Sequence, residues 1–197
     1  MKYLFTLVCI SIFFTSTHVD AAVLDIQQEE IAEQGTVVFT VTLDPQGEST
    51  NALAATFSYP TEYFSFVSAS TVGSVVPLWV VQPKVSKSVD FSGLSHVSFE
   101  GIIPGGFDGI RSPYYEGLKP GTIVQITLQP RKVGNPSVLL NNIDVRKHDG
   151  KATKLDVKED ILTVSIEKNN IQSLPKKQTP KEIKNPNFSP YITQTDL

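Results

Sequence analysis

The residues of this chain with the right types for chemistry are few and scattered. Beyond position 21 there are two histidines, His96 in SHVSFEG and His148 beside Asp149-Gly150, and no cysteine. Neither histidine stands in a spacing that metals use, such as His-x-His or His-Glu-x-x-His. Both read as exposed polar residues near turns. No Gly-x-Ser-x-Gly elbow is present to expose a nucleophilic serine, and Ser92-Gly93 reads as an ordinary strand end. The glycine-rich stretch Gly105-Gly106-Phe107-Asp108-Gly109 has no helical pattern behind it, so a phosphate cradle is not expected. Glu100 and Asp108 have the type needed for glycoside cleavage, which requires an acid and a base facing one cleft. Nothing in the sequence brings them together, and the set points away from an enzyme. No transition-metal site is expected. A structural calcium ion stays open, because Asp44 with Glu48, or Asp108 with Glu116, offers hard oxygen donors from loops without an EF-hand pattern.

Aromatic side chains offer a second kind of chemistry. Trp79 lies in the apolar run VVPLWVVQP, where core filling is the simplest role. Tyr114 and Tyr115 sit between Pro113 and Glu116. Neighbours on an extended segment point opposite ways, so one ring faces solvent. An exposed planar ring stacks on a sugar or anchors a protein interface. Trp79, Tyr114 and Tyr115 are therefore the carbohydrate-binding candidates. The plain alternative for the tyrosines is a loop covering one end of the fold, and Phe107 carries the same ambiguity.

The elements that must position these groups read as strands. In NALAATFSYPTEYFSFVSAS, residues Leu53, Ala55, Phe57 and Tyr59 fall on one face and Ala52, Ala54, Thr56 and Ser58 on the other. The first row is core. The second is small, flat and uncharged, which suits either a recognition face or tight packing under a neighbouring segment. Thr36–Leu43 alternates in the same way. Ala22–Gln27, Val89–Leu94, His96–Ile102, Thr122–Leu128, Ser137–Asp144 and Ile161–Ile166 are further strand candidates. Pro45-Gln46-Gly47, Pro104-Gly105-Gly106, Lys119-Pro120-Gly121, Gly134-Asn135-Pro136 and Asp149-Gly150 supply the turns. Many short strands with regular turns mean a sandwich or barrel.

The two ends differ from this middle. Lys2, the apolar run Leu4–Phe14 and the small-residue site Val19-Asp20-Ala21 make residues 1–21 a secretory signal peptide, so a secreted or cell-surface protein is expected. That run is too short for a membrane span. Cys9 lies inside it, so the mature chain has no disulfide and depends on its core. Residues 22–167 form one domain with 11 basic and 17 acidic residues, a net charge of −6 that argues against nucleic acid. Residues 168–197 are rich in proline and lysine and read as a linker or disordered tail. An anchor or further module beyond Leu197 remains open.

The stretch Asn51–Ser70 resembles the early motif of cohesin domains. In them an Asn-Ala pair opens a strand that ends at an aromatic residue near a proline. VDFSGL, GIIPGGFDG and GTIVQITLQPRKVGNPSVLL follow the order of the family's later segments, and VRKHDGKATKLDV looks like its closing hairpin. The resemblance covers residues 23–167. It implies a jelly-roll β-sandwich of about nine strands. It also implies a non-catalytic module that docks a dockerin-type protein, as cohesins do when they assemble polysaccharide-degrading enzymes at the cell surface. The implied partner-binding face is Ala52, Ala54, Thr56 and Ser58. The insertion Arg111–Lys119 departs from the family pattern. A carbohydrate-binding module and a structural or adhesive module are the alternative readings.

Overall fold

A computed structural model describes residues 21–29, 35–86, 90–168 and 171. The expected signal peptide, apart from Ala21, and most of the expected tail lie outside them. Every element is a strand: β1 (Val23–Gln28), β2 (Val37–Asp44), β3 (Thr50–Pro60), β4 (Phe64–Ser70), β5 (Leu78–Val85), β6 (Leu94–Phe107), β7 (Ile110–Ser112), β8 (Tyr115–Lys119), β9 (Gly121–Pro130), β10 (Ser137–Lys147) and β11 (Asp160–Thr163). Nine of them form two antiparallel sheets, ordered β1-β2-β9-β4 and β11-β10-β3-β6-β5, packed as a β-sandwich. The insertion Arg111–Lys119 folds into most of a separate hairpin, β7-β8.

Alternation explains which face each strand buries. Val37, Phe39, Val41 and Leu43 of β2 and Leu53, Ala55, Phe57 and Tyr59 of β3 all point inward and are buried. Phe39 sits at the centre, 5.5 Å from Phe57 and 6.0 Å from Phe64 between ring centroids. The second contact is edge-to-face, the arrangement that aromatic quadrupoles favour. Gly101 marks a close approach, because a Cβ there would fall 2.3 Å from the Val76 Cγ1 atom. Only glycine lets the segment leading into β5 cross β6 so tightly.

Two strand expectations and one turn expectation need correction. Of the expected strand Val89–Leu94, residues 90–93 form a turn, because the Asp90 carboxylate gathers the backbone N–H groups of Ser92 and Leu94. The strand ahead of β6 is instead the apolar run Leu78–Val85. Pro104-Gly105-Gly106 is not a turn but part of β6. Ala52 pairs with Ile102 while Thr50 pairs with Phe107, so β6 carries a large bulge there, with φ +85° at Gly105 and +81° at Gly106. The expected strand Ile161–Ile166 forms a ladder only over Asp160–Thr163 and is then held by an isolated antiparallel bridge between Ile166 and Gly134.

β5 is an edge strand of irregular form. Its pairing with β6 slips between Trp79 and Val81 and again between Val81 and Lys84, and Pro83 within it has no N–H to offer.

The closing hairpin turns as expected at Asp149-Gly150. The Asp149 carboxylate accepts from the Thr153 hydroxyl, the Lys151 N–H at 2.9 Å and the Thr153 N–H at 3.4 Å. These bonds, the Thr153 hydroxyl first, hold its carboxyl at about 2, below the ordinary 3.8. A depressed pKa contributes stability that is complete above the ordinary value and is lost as pH falls through the folded one. The Lys151 and Thr153 amide resonances are expected to titrate together near pH 2. A midpoint at the ordinary carboxylate value would show that the carboxylate does not hold the turn.

Candidate functional site

The outer face of the five-stranded sheet is laid out by strand register. Four rows cross it. Leu78, Ile102, Ala52 and Arg146 stand side by side in the first; Val81, Glu100, Ala54 and Asp144 form the second. Lys84, Ser98, Thr56 and Asn141 make the third, and His96, Ser58, Leu139 and Ile161 the fourth. Leu78 is 54% exposed, Val81 41% and Ile102 42%. Ala52 and Ala54 are half-buried beside them. The corner formed by β5, β6 and β3 therefore sets exposed aliphatic side chains and small ones around the exposed Glu100. Arg146 and Asp144, paired at 2.7 Å, bound it on β10. Thr56 and Ser98 touch through their hydroxyls at 3.3 Å.

Ser58 differs from the rest of its row. It is fully buried, and its hydroxyl lies 2.8 Å from His96 Nδ1. His96 Nε2 lies 3.1 Å from the Asp90 carboxylate. Hydrogen bonds, the Ser92 hydroxyl first, keep the Asp90 carboxyl below its ordinary range. An ionised carboxylate only accepts. Nε2 therefore donates to Asp90, and with the ring in that tautomer Nδ1 accepts from the Ser58 hydroxyl, which also lies 3.5 Å from the Asn141 side-chain oxygen. Serine, histidine and acid in a chain invite comparison with a nucleophilic triad. Burial removes that role, since no carbonyl carbon can reach the Ser58 oxygen. The chain of bonds instead ties the Asp90 turn to the sheet. Ser58→Ala would leave Nδ1 without its donor and is expected to cost about 1–2 kcal/mol. Urea unfolding checks this, and unchanged stability would mean that water replaces the bond.

The other candidates are dispersed. Trp79 is half-buried and meets Phe99 edge-on at 6.5 Å, so core packing accounts for its ring. Tyr114 is 95% exposed at the tip of the β7-β8 hairpin, and Tyr115 lies on β8. Trp79, on β5 with its ring turned toward Phe99, thus lies on a different element from the two adjacent tyrosine positions of the hairpin. Asp44 accepts from the Gln46 N–H at 3.0 Å and side-chain amide at 2.6 Å, while Glu48 pairs with Lys147 at 2.5 Å. That calcium-ligand pair is engaged within the protein. Among the described residues no three His, Cys, Asp or Glu side chains converge to hold a metal. The exposed residues Leu78, Val81 and Ile102 had no signal in the sequence beyond lying in apolar runs, and His96 was not placed beside Ser58.

No protein-family model and no curated protein sequence matches the chain. Solved structures do. The seventh ScaB type I cohesin of Pseudobacteroides cellulosolvens aligns with a TM-score of 0.53 at 12% identity, covering 81% of this chain and 97% of that one. The fold is that of a cohesin. The cohesin module of a Clostridium perfringens family 33 glycoside hydrolase is also similar, with a TM-score of 0.49 at 11% identity over 74% of this chain and 96% of that one. A third is the Clostridium thermocellum Coh-OlpA–Doc918 complex, a type I cohesin–dockerin complex, with a TM-score of 0.47 at 12% identity over 72% and 96%. In this fold the row Ala52–Ser58 runs through the middle strand of the five-stranded sheet, and the β7-β8 hairpin lies outside both sheets.

Proposed function

We propose that the protein is a non-catalytic docking module that binds a dockerin-type protein through the outer face of its five-stranded sheet. The observation that carries this reading is the aliphatic corner, where Leu78, Val81 and Ile102 stand exposed around Glu100 and beside Ala52 and Ala54. Small side chains let a partner surface approach closely, and the aliphatic ones gain from burial. The cohesin fold supports the partner class. The N-terminal sequence pattern supports export, so docking takes place outside the cell, in a setting of polysaccharide breakdown.

A displayed panel of dockerin modules, exposed to the purified protein, tests the proposal. At least one module is expected to bind, and affinity electrophoresis through soluble cellulose and xylan derivatives is expected to show no retardation. Retardation abolished by Tyr114→Ala, with no dockerin bound, would make the protein a carbohydrate-binding module instead.

A further inference from the structure

Phe91 is the most exposed large apolar residue among those described, at 113% of its reference area, yet it does not sit on a loose loop. Its turn is held by a set of hydrogen bonds. The Asp90 carboxylate accepts from the Ser92 N–H at 2.9 Å, the Ser92 hydroxyl at 2.6 Å and the Leu94 N–H at 2.9 Å. The same side chain meets His96 Nε2, so the turn is tied to the fourth row of the outer face. The Asp90 N–H donates to the Leu94 carbonyl and the Gly93 N–H to the Asp90 carbonyl. The Gly93 carbonyl accepts from the Thr61 N–H at 3.1 Å and hydroxyl at 3.0 Å. Gly93 has φ +78°, which other residues adopt only with strain.

A ring held in water on so firmly bonded a turn forgoes the gain that its burial would return. Because the turn is already ordered, a partner covering it has little loop entropy to overcome. The turn stands by His96, and the aliphatic corner by Ile102. Six residues of strand separate them, roughly 20 Å. Leu139 and Ile161 extend the His96 row with further aliphatic surface. Resting on the docking reading, we infer that Phe91 is a preformed anchor of that face, seating in an apolar recess on the partner. The partner is a folded protein long enough to meet the corner and the anchor together. Asp90 is a positioning residue for the anchor and makes no partner contact of its own.

The probe is the tightest dockerin module from the displayed panel, purified and titrated against the full chain. Phe91→Ala is expected to weaken binding about 30-fold or more, and Phe91→Leu to restore most of it. Asp90→Ala is expected to slow association about tenfold with Phe91 present and to add nothing once Phe91 is alanine. That non-additivity separates positioning from a general loss of structure. Phe91→Ala binding within twofold of the parent, while a charge at Ala54 abolishes it, would overturn the anchor and leave the docking face standing. A parent protein that binds no module overturns both. A self-association lost in Phe91→Ala, with dockerin binding unchanged, would assign the ring to a second copy of the chain and overturn the inference.

Discussion

Arginine at position 54 is expected to abolish docking without unfolding the protein. Ala54 lies in register between Glu100 and Asp144, above a shallow depression of about 150 Å³ that Thr56, Val81, Ser98 and Asn142 also line. A guanidinium there reaches both carboxylates, so the free protein tolerates it. The partner must then clear the long side chain and separate the charges from their counterparts. A loss of 100-fold or more in affinity is expected, about 3 kcal/mol. Titration of the best dockerin module measures it, with matching urea-unfolding curves for parent and variant as the control. Affinity within threefold of the parent would place the interface elsewhere on the molecule.

The second large effect concerns the core. Phe39→Ala is expected to destabilise the fold by about 3–5 kcal/mol, because the ring is fully buried and touches Phe57 and Phe64 across both sheets. Domains of this size have about 5–15 kcal/mol in total. No cysteine follows position 9, so no cross-link restrains the unfolded chain. The urea midpoint should fall sharply with an unchanged slope. A change below about 1 kcal/mol would mean that the two sheets close over the cavity.

Much of the sandwich was legible because period-two alternation is strong where one face is buried. Val37–Leu43 and Leu53–Tyr59 announce their inward rows without help from tertiary structure. The errors arose where a side chain redirected the backbone. VDFSGL alternates well enough to pass for a strand, but the Asp90 carboxylate satisfies its N–H groups locally. Pro104-Gly105-Gly106 has turn composition, yet neighbouring β3 continues past it and absorbs it as a bulge. For the face, Ala52, Ala54 and Thr56 could be read from one strand. Their neighbours could not, because Leu78, Val81 and Ile102 reach the same surface only through cross-strand register. Ser58 was read with the outward row, and its burial depends on His96, 38 positions away.

The uneven β5 edge carries one more consequence. A straight strand bearing Leu78, Val80 and Val81 in the open would invite identical molecules to add on, strand upon strand, until they formed fibres. Two slips of register and the missing N–H of Pro83 deny such growth a template. The exposed side chains of β5 thus stand on a sheet edge that offers identical molecules no regular ladder to extend.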